Sequence, residues 1–230
     1  MSLSARRINS DLVAIHRARD PHIMAQRKND SVHEAEAIII GPEETPYAHG
    51  FFHFDVKFPE DYPFNPPVMK FLTTDNGRVR FNPNLYADGK ICVSFLGTWQ
   101  GPGWVATMSL LSCLRSIQGL ILTSNPIVNE PGWESTTDTH KIRSYNQMLA
   151  HETLRVAVIQ MVENYRGPFL DRMKQYFLDH YDYYLATARS LRHLDGQSFN
   201  DPYRSSRRTF NFTDILSNLA RVKSLFDSEL

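Results

Sequence analysis

Residues 51–71 read FFHFDVKFPEDYPFNPPVMKF, and this stretch decides the class of the fold. Over residues 51–58, large apolar residues alternate with polar ones, which is typical of a strand with one buried face. The pair Pro66 and Pro67 excludes a helix, because each proline forces the residue before it into an extended conformation. We therefore predict a second strand over residues 68–72.

The sequence on either side extends this prediction. A β-branched run at residues 35–40 stops at Gly41 and predicts a strand ahead of the other two. Three short strands with tight connections favour an antiparallel meander. Apolar residues at helical spacing predict an amphipathic helix over residues 3–18. The same spacing predicts later helices over residues 108–122, 141–164, 169–193 and 212–226.

Together these elements predict an α+β protein in two parts. Residues 1–133 form a core in which helices flank the meander. Residues 134–230 form an all-helical extension packed on or near that core. An aromatic and aliphatic stripe in this extension, between Tyr165 and Leu185, either packs against its neighbours or docks a partner. Packing is favoured, because helices generally bury an apolar face.

Charge and composition exclude several classes of protein. The chain has 230 residues, and 25 lysines and arginines balance 25 aspartates and glutamates. A neutral chain has no overall field that would draw it to nucleic acid or to an anionic membrane, so we expect neither as a partner. The longest apolar run, at residues 110–122, is interrupted by polar residues and is too short to cross a bilayer.

The cysteines and histidines of the chain indicate its cellular compartment and whether it binds a metal. Two cysteines cannot form a disulfide framework, and the first thirty residues lack the apolar core of a secretory signal. We expect a reducing compartment, the cytoplasm, with the nucleus as a second location. His49 and His53 have the spacing of a helical metal-binding pair, but they fall on a predicted turn and strand. We therefore expect no metal site.

The irregular segment at residues 78–104 is the candidate site of chemistry. It is rich in Asn, Pro, Gly and Asp, and long loops in compact domains tend to be functional. Cys92 lies in this segment among short polar residues. Cys113 instead lies among leucines and isoleucines at helical spacing, as expected of an inert core cysteine. The cysteine alone would not establish a function for Cys92.

Three motifs precede Cys92 in a set order. They are GPEETPYAHGFF at residues 41–52, FPEDYPFNPPVMKF at residues 58–71, and NPN at residues 82–84, which ends eight positions before the cysteine. Their order and spacing resemble those of the ubiquitin-conjugating enzymes, from residue 3 to about residue 133. The agreement of several motifs at once makes the resemblance specific. It implies the ubiquitin-conjugating (UBC) fold.

Within that family, the likeness is strongest to the Z-type branch. The active-site segment of that branch resembles VRFNPNLY at residues 79–86 and LGTW at residues 96–99, and its later loop resembles NEPG at residues 129–132. Its helical C-terminal region resembles HETLRVAV at residues 151–158 and YDYY at residues 181–184. The resemblance thus covers nearly the whole chain. It implies an atypical activating enzyme and a tandem ubiquitin-like modifier among the partners.

The resemblance assigns the central chemistry to Cys92 and Asn84. A cysteine thiolate accepts an acyl group from another thioester at nearly no thermodynamic cost, so Cys92 fits an acyl carrier. Attack of a lysine amine on that thioester develops an oxyanion, and the side-chain amide of Asn84 is a suitable donor. The alternative for Asn84 is a turn-former that bonds its own backbone, and one residue can do both.

Three neighbouring residues support this assignment. Asn82 and Pro83 are expected to hold the loop, with Asn82 in the place where most members of the family have histidine. A shorter amide must therefore supply the hydrogen bond that holds the turn. Glu130 matches the acidic residue that many members place near the incoming lysine. A carboxylate there would help to deprotonate the amine, whereas a loop glutamate in solvent is the alternative.

The resemblance also implies two contact surfaces. Arg6 and Arg7, on the basic first helix, are expected to contact the activating enzyme, with an ordinary solvated helix face as the alternative. Phe64 and Ala106 are expected to contact ubiquitin ligases. Because Val105, Ala106 and Thr107 replace the usual Ser-Pro-Ala of the family, the choice of ligase is expected to differ.

We therefore expect a carrier enzyme that accepts ubiquitin or a ubiquitin-like protein as a thioester on Cys92. It would deliver this cargo to a lysine amine, usually with a ligase. The resemblance implies no bound cofactor, because ATP is used upstream by the activating enzyme. The competing class is a non-enzymatic ubiquitin-binding adaptor on the same fold. The presence of both Cys92 and Asn84 argues against that class.

Overall fold

The computed structural model describes residues 2–28, 31–199, 201–203 and 207–228. Within these ranges the helices and strands follow one another along the chain as listed next. They are α1 (Leu3–Ala18), β1 (Ile23–Arg27), β2 (Glu34–Ile40), β3 (Phe51–Lys57), β4 (Val68–Phe71), α2 (Leu110–Leu120), α3 (Thr139–Glu152), a π-helical segment (Thr153–Gln160), α4 (Met161–Asn164), α5 (Leu170–Asp179), α6 (Tyr181–Leu191), β5 (Ser198–Phe199), β6 (Arg208–Thr209) and α7 (Phe212–Asp227).

The main sheet is an antiparallel meander of β1, β2, β3 and β4 in sequence order. In its central pair, Ala37 lies opposite Phe54 and Ile39 lies opposite Phe52. The α+β class and the meander are confirmed. The sheet has one more strand than predicted, because no strand was predicted over Ile23–Arg27. Only the first two residues of β1 are buried, so this edge strand lacks a clear alternation of apolar and polar residues.

The two helices that flank the sheet were predicted correctly, apart from one or two residues at their ends. The side chain of Ser2 accepts a hydrogen bond from the backbone N–H of Ala5 and caps α1. Ser109 and Ser112 form a capping box at the start of α2. Both helices contact each other, and α1 also packs against β1. The backbone N–H of Phe71, at the end of β4, donates to the carbonyl of Gly89 at 2.9 Å, which places the segment that contains Cys92 beside the sheet.

The extension departs from its prediction in two places. The predicted helix over residues 141–164 contains the π-helical segment, and the predicted helix over residues 169–193 breaks at His180. The extension is also not wholly helical, since β5 and β6 form a small antiparallel ribbon. Two-residue strands leave too short a pattern to detect in a sequence, because two residues do not show an alternation.

A close approach joins the extension to the sheet. The π-helical segment passes over Gly50, just before β3, so closely that a Cβ atom there would lie 2.8 Å from Cγ2 of Thr153. Farther along, the hydroxyl of Tyr184 donates to the carbonyl of His49 at 3.0 Å. Tyr176 contacts the ring of Phe51 with 5.8 Å between centroids. The stripe therefore packs inward, as favoured above.

One buried hydrophobic cluster runs through both parts of the chain. It includes Phe51 and Ile117 from the first part and Met173, Phe177 and Tyr184 from the extension. All five side chains are fully buried. The predicted boundary at residue 133 therefore does not coincide with a gap in the hydrophobic core. Over the described residues, no helix combines the length and the apolar character needed to cross a membrane.

Candidate active site

The Asn82–Pro83–Asn84 turn is built around one buried amide. The side chain of Asn82 has no solvent exposure. Its Nδ2 atom donates to the hydroxyl of Tyr47 at 3.0 Å and to the carbonyl of Ile121 at 2.9 Å. Its Oδ1 atom accepts from the backbone N–H of Asn84 at 2.9 Å. The shorter amide thus connects the turn to the end of α2 and to the loop before β3, as loop support requires.

Asn84 and Cys92 are joined by two hydrogen bonds. The backbone N–H of Cys92 donates to the carbonyl of Asn84 at 2.9 Å. In return, Nδ2 of Asn84 donates to the carbonyl of Cys92 at 2.6 Å. An amide nitrogen carries two N–H groups, so this bond leaves the same nitrogen with a second donor. The structure thus brings the predicted oxyanion donor to the predicted nucleophile, and it also gives Asn84 a structural bond.

The two cysteines differ in their surroundings. Cys113 is fully buried in α2, and burial, with a smaller contribution from the charge of Asp11, raises the pKa of its thiol to about 12. Such a thiol is neutral at physiological pH and inert as a nucleophile. Cys92 is 2% exposed and lies in the loop after the turn. Its thiol must become accessible before it can attack an acyl group.

The loop after Cys92 is held by a threonine. Oγ1 of Thr98 accepts from the backbone N–H of Val93 at 2.9 Å and donates to the carbonyl of the same residue at 3.0 Å. Beyond this closure the chain turns outward, and Trp99 is largely exposed. The loop over residues 93–104 therefore starts from an anchored base immediately after Cys92.

Glu130 has a partner that the sequence did not reveal. Its half-buried carboxylate lies near the hydroxyl of Tyr203, in the extension. Burial, together with this carboxylate, raises the pKa of the Tyr203 hydroxyl well above its usual range. Because a carboxylate accepts more than one hydrogen bond, the predicted role of Glu130 beside the incoming lysine stays a prediction.

Arg6 and Arg7 lie in different environments. Arg6 is exposed on α1. Arg7 points into the protein, where its guanidinium donates to Oδ1 of Asp11 at 2.9 Å, to the carbonyl of Ala106 at 2.9 Å and to the carbonyl of Met108. The side chain of Arg6 is therefore accessible, and its contact with an activating enzyme stays a prediction, whereas Arg7 connects the first helix to the loop before α2.

The predicted ligase surface contains two adjoining loops. Phe64 is 67% exposed on the loop between β3 and β4. Nε1 of Trp104 donates to the carbonyl of Pro63 at 2.6 Å and ties that loop to the one that carries Ala106. Val105 is also exposed. An exposed aromatic side chain beside an exposed aliphatic one is a suitable docking surface, and its ligase role stays a prediction.

Sequence reasoning missed the residues that enclose the turn from the outside. Arg80 donates to two carbonyls of the turn and contacts the rings of Tyr86 and Tyr203. The proximity of Arg80 to the turn was visible in the sequence. The contact with Tyr203 was not, because it depends on where the extension folds back. Among the residues that the structure describes, no three His, Cys, Asp or Glu side chains converge as a metal site would require.

Comparison with known proteins gives the family. The model of the family described as ubiquitin-conjugating enzyme matches residues 7–152. The ubiquitin-conjugating enzyme E2 Z of Xenopus tropicalis is 41% identical over 219 residues, which cover 94% of this chain and 70% of the frog protein. The human protein of the same name is 40% identical over 220 residues, which cover 94% of this chain and 62% of the human protein.

Solved structures agree in fold. A putative ubiquitin conjugating enzyme from Plasmodium yoelii matches with a TM-score of 0.55 and 27% identity, over 68% of this chain and 97% of that protein. The E2 domain of a Toxoplasma gondii ubiquitin conjugating enzyme matches with a TM-score of 0.52 and 28% identity, over 66% of this chain and 97% of that domain. The predicted UBC fold is thus confirmed, and the chain belongs to the ubiquitin-conjugating enzyme family.

Proposed function

We propose that the chain is a carrier that accepts ubiquitin or a ubiquitin-like protein as a thioester on Cys92 and transfers it to a lysine amine. The observation that carries this proposal is the pair of hydrogen bonds between Asn84 and Cys92. They hold an amide donor beside the one cysteine that lies in the irregular loop. The buried amide of Asn82 holds that arrangement in turn.

The proposed reaction has two acyl transfers. In the first, the Cys92 thiolate attacks the thioester carbonyl on the activating enzyme, a new C–S bond forms, and the enzyme's thiolate leaves. In the second, a neutral lysine amine attacks the Cys92 thioester, a C–N bond forms, and Cys92 leaves as a thiolate. The amine proton passes to a base or to water. The second N–H of the Asn84 amide donates to the oxyanion that develops in this step.

The proposed partners follow from the family and from the surfaces. An activating enzyme would bind the face of α1 that carries the exposed Arg6, and a ligase would bind the surface of Phe64 and Ala106. The resemblance of the motifs to the Z-type branch makes an atypical activating enzyme and a tandem ubiquitin-like modifier two further candidate partners. Both cysteines are free and buried, which agrees with a reducing compartment such as the cytoplasm or nucleus.

The test is thioester formation on Cys92. The protein is incubated with ATP, one ubiquitin-activating enzyme at a time, and ubiquitin or a ubiquitin-like protein. We expect an adduct that a reductant removes. Cys92→Ala should abolish this adduct, and Cys92→Ser should convert it into an ester that resists reductant, because a hydroxyl oxygen then carries the acyl group.

Cys113→Ala is the matched control. It should keep full loading and lose about 1–2 kcal/mol of unfolding free energy, because it leaves a small cavity in the core. Loading of Cys92→Ala at the wild-type rate would reject the assignment of the nucleophile. Binding of ubiquitin by the wild-type protein without any adduct, whichever activating enzyme is supplied, would support the adaptor class instead.

A further inference from the structure

Arg80 contacts two carbonyl groups and two aromatic rings on the outer side of the Asn82–Pro83–Asn84 turn. Its Nε donates to the carbonyl of Asn82 at 3.2 Å, and its Nη2 donates to the carbonyl of Pro83 at 2.5 Å. Its Cζ lies 3.7 Å from the ring centroid of Tyr86 and 3.8 Å from that of Tyr203. A planar cation this close to two rings must have one on each face. Arg80 thus connects an aromatic residue of the extension to the backbone of the turn.

Tyr203 is itself held in place from several sides. Its hydroxyl lies near the carboxylate of Glu130. Its ring meets the ring of Tyr145 in α3 edge-on, with 6.3 Å between centroids. Its backbone N–H donates to Oδ1 of the buried Asp201 at 2.9 Å. The ring over Arg80 is therefore packed in place by contacts to both parts of the chain.

The turn receives a second support from the loop of Glu130. Nδ2 of Asn129 donates to the carbonyl of Leu120 at 3.1 Å and lies 3.5 Å from Oδ1 of Asn82. Asn129 and Glu130 are adjacent, so the loop that lies near Tyr203 also touches the turn. Contacts from Tyr203, Arg80 and the loop of Glu130 thus surround the residues that hold Asn84.

We propose that Arg80 and Tyr203 are positioning residues, through which the extension holds Asn84 in the geometry needed for transfer to lysine. This inference rests on the proposed function. Stacking on both faces fixes the plane of the guanidinium, and a fixed guanidinium fixes the two carbonyls that it bonds. An oxyanion donor acts only when it is pre-positioned, so small shifts of the turn slow aminolysis.

The test compares loading and discharge in the full-length protein. Tyr203→Leu should load ubiquitin within twofold of the wild-type rate. Its thioester should discharge to free lysine roughly 5- to 20-fold more slowly at saturating lysine, the range expected for loss of one cation–π contact. The lysine concentration at half-maximal rate should stay the same, because the lost contact orients the turn and does not bind the amine.

Two variants separate the ring from its hydroxyl and from general effects on the extension. Tyr203→Phe keeps the ring over Arg80 and should discharge within twofold of wild type. Tyr181→Leu is the matched control, because Tyr181 is also a tyrosine of the extension with a cation near its ring, Nζ of Lys223 at 5.6 Å from the centroid. Tyr181→Leu should discharge at the wild-type rate.

Hydrogen exchange tests the proposal without a catalytic assay. Backbone amides of Leu85, Tyr86 and Cys92 form the hydrogen bonds of the turn region. Their hydrogen exchange should be several-fold faster in Tyr203→Leu and unchanged in Tyr181→Leu. If Tyr203→Leu does not fold, Arg80→Lys tests the same point, because it keeps the charge and loses the planar fork.

The outcomes distinguish this inference from the proposed function. No adduct on the wild-type protein with any activating enzyme would reject the proposed function, and hydrogen exchange would still test the support of the turn. Normal loading with wild-type discharge in both Tyr203→Leu and Arg80→Lys would reject the positioning role alone. In a third outcome, Tyr203→Leu loses loading and discharge equally, with a lower melting temperature and unchanged hydrogen exchange in the turn. That result would show that Tyr203 stabilises the fold and does not position the turn.

Discussion

Asn82 and Asn84 use the same amide group for different purposes. The amide of Asn82 is fully buried and makes all its contacts inside the protein. The amide of Asn84 is half-buried and reaches the backbone of Cys92. A buried amide with satisfied donors and acceptor serves to fix a turn, whereas a partly exposed one beside a nucleophile can meet a developing charge.

Asn84→Ala should separate loading from discharge. We expect near-normal thioester formation and about 10²- to 10³-fold slower discharge to free lysine, the range for removal of one oxyanion donor. Single-turnover assays with preloaded protein measure the two steps independently. A melting curve shows the cost of losing the bond to the Cys92 carbonyl, about 1 kcal/mol.

Asn129→Ala is the control for this prediction, since its amide touches the turn without reaching Cys92. It should lower stability without a comparable loss of discharge. If Asn84→Ala slows loading and discharge equally, and its melting temperature falls as much as that of Asn129→Ala, Asn84 is a turn-former and not an oxyanion donor.

At the scale of elements, Asp11 of α1 connects three segments. Its Oδ1 accepts from Arg7, and its Oδ2 accepts from the backbone N–H of Leu110 at 3.0 Å and from the hydroxyl of Tyr62. Leu110 is the first residue of α2, where a negative charge is favourable. Asp11 is only 4% exposed, so loss of a partner would leave a buried oxygen atom without a hydrogen bond.

Arg7→Ala and Arg6→Ala should therefore behave differently. Arg7→Ala leaves a buried carboxylate without its cation, and we expect a loss of about 2–3 kcal/mol and a fall in melting temperature of about 4–10 °C. Arg6→Ala should leave the melting temperature unchanged and slow loading by the activating enzyme, with the largest effect at low salt. Equal melting temperatures for the two variants would contradict the internal role of Arg7.

At the scale of the whole molecule, the extension completes the hydrophobic core. Tyr176 and Tyr184 contact the segment around His49 and Phe51, and the buried cluster continues through α5 and α7. Large aromatic side chains bury about 150–250 Å² each, so loss of these contacts would expose much of one side of the sheet. A stable catalytic unit therefore needs residues well beyond the motifs.

A chain that ends after Thr137 should be less stable and less soluble than the full chain. We expect a broad or absent thermal transition and binding of a hydrophobic dye, because the contact surface of the extension is exposed. Whatever fraction folds should still load Cys92, since every residue assigned to that step precedes the cut. A fully stable truncated protein that loads no modifier would make the extension a recruitment element instead.

His49 gives the joint between the two parts a dependence on pH. Burial and the neighbouring His180 lower the pKa of His49 to about 4, and its Nδ1 atom lies 2.8 Å from the hydroxyl of Tyr176. The pKa of a histidine in an unfolded chain is about 6.5. Between pH 4 and this value, the unfolded chain therefore binds more protons than the folded protein. The stability contributed by neutral His49 is complete above pH 6.5 and is lost as the pH falls towards 4.

His49→Asn should flatten this part of the pH profile. Asparagine tolerates the left-handed backbone of this residue, with φ of 60°, and does not titrate. Urea unfolding between pH 8 and pH 4 measures the slope. The wild-type protein should lose stability faster than the variant between about pH 6.5 and 4. Below that window both should decline, because the pKa of Glu152 is lowered to about 2. Identical slopes would mean that His49 is not the group that titrates.

Local sequence patterns were enough to predict three of the four strands of the meander and the two flanking helices, whereas the family resemblance grouped Asn82, Asn84 and Cys92. Alternation, proline positions and motif spacing act over short stretches, where chain geometry leaves few conformations. The roles of these residues in transfer remain predictions. The π-helical segment, the break at His180 and the contact of Tyr203 with Arg80 did not follow from local patterns. The contact of Tyr203 with Arg80 joins side chains far apart in sequence that meet only after the chain folds back, which local patterns do not encode.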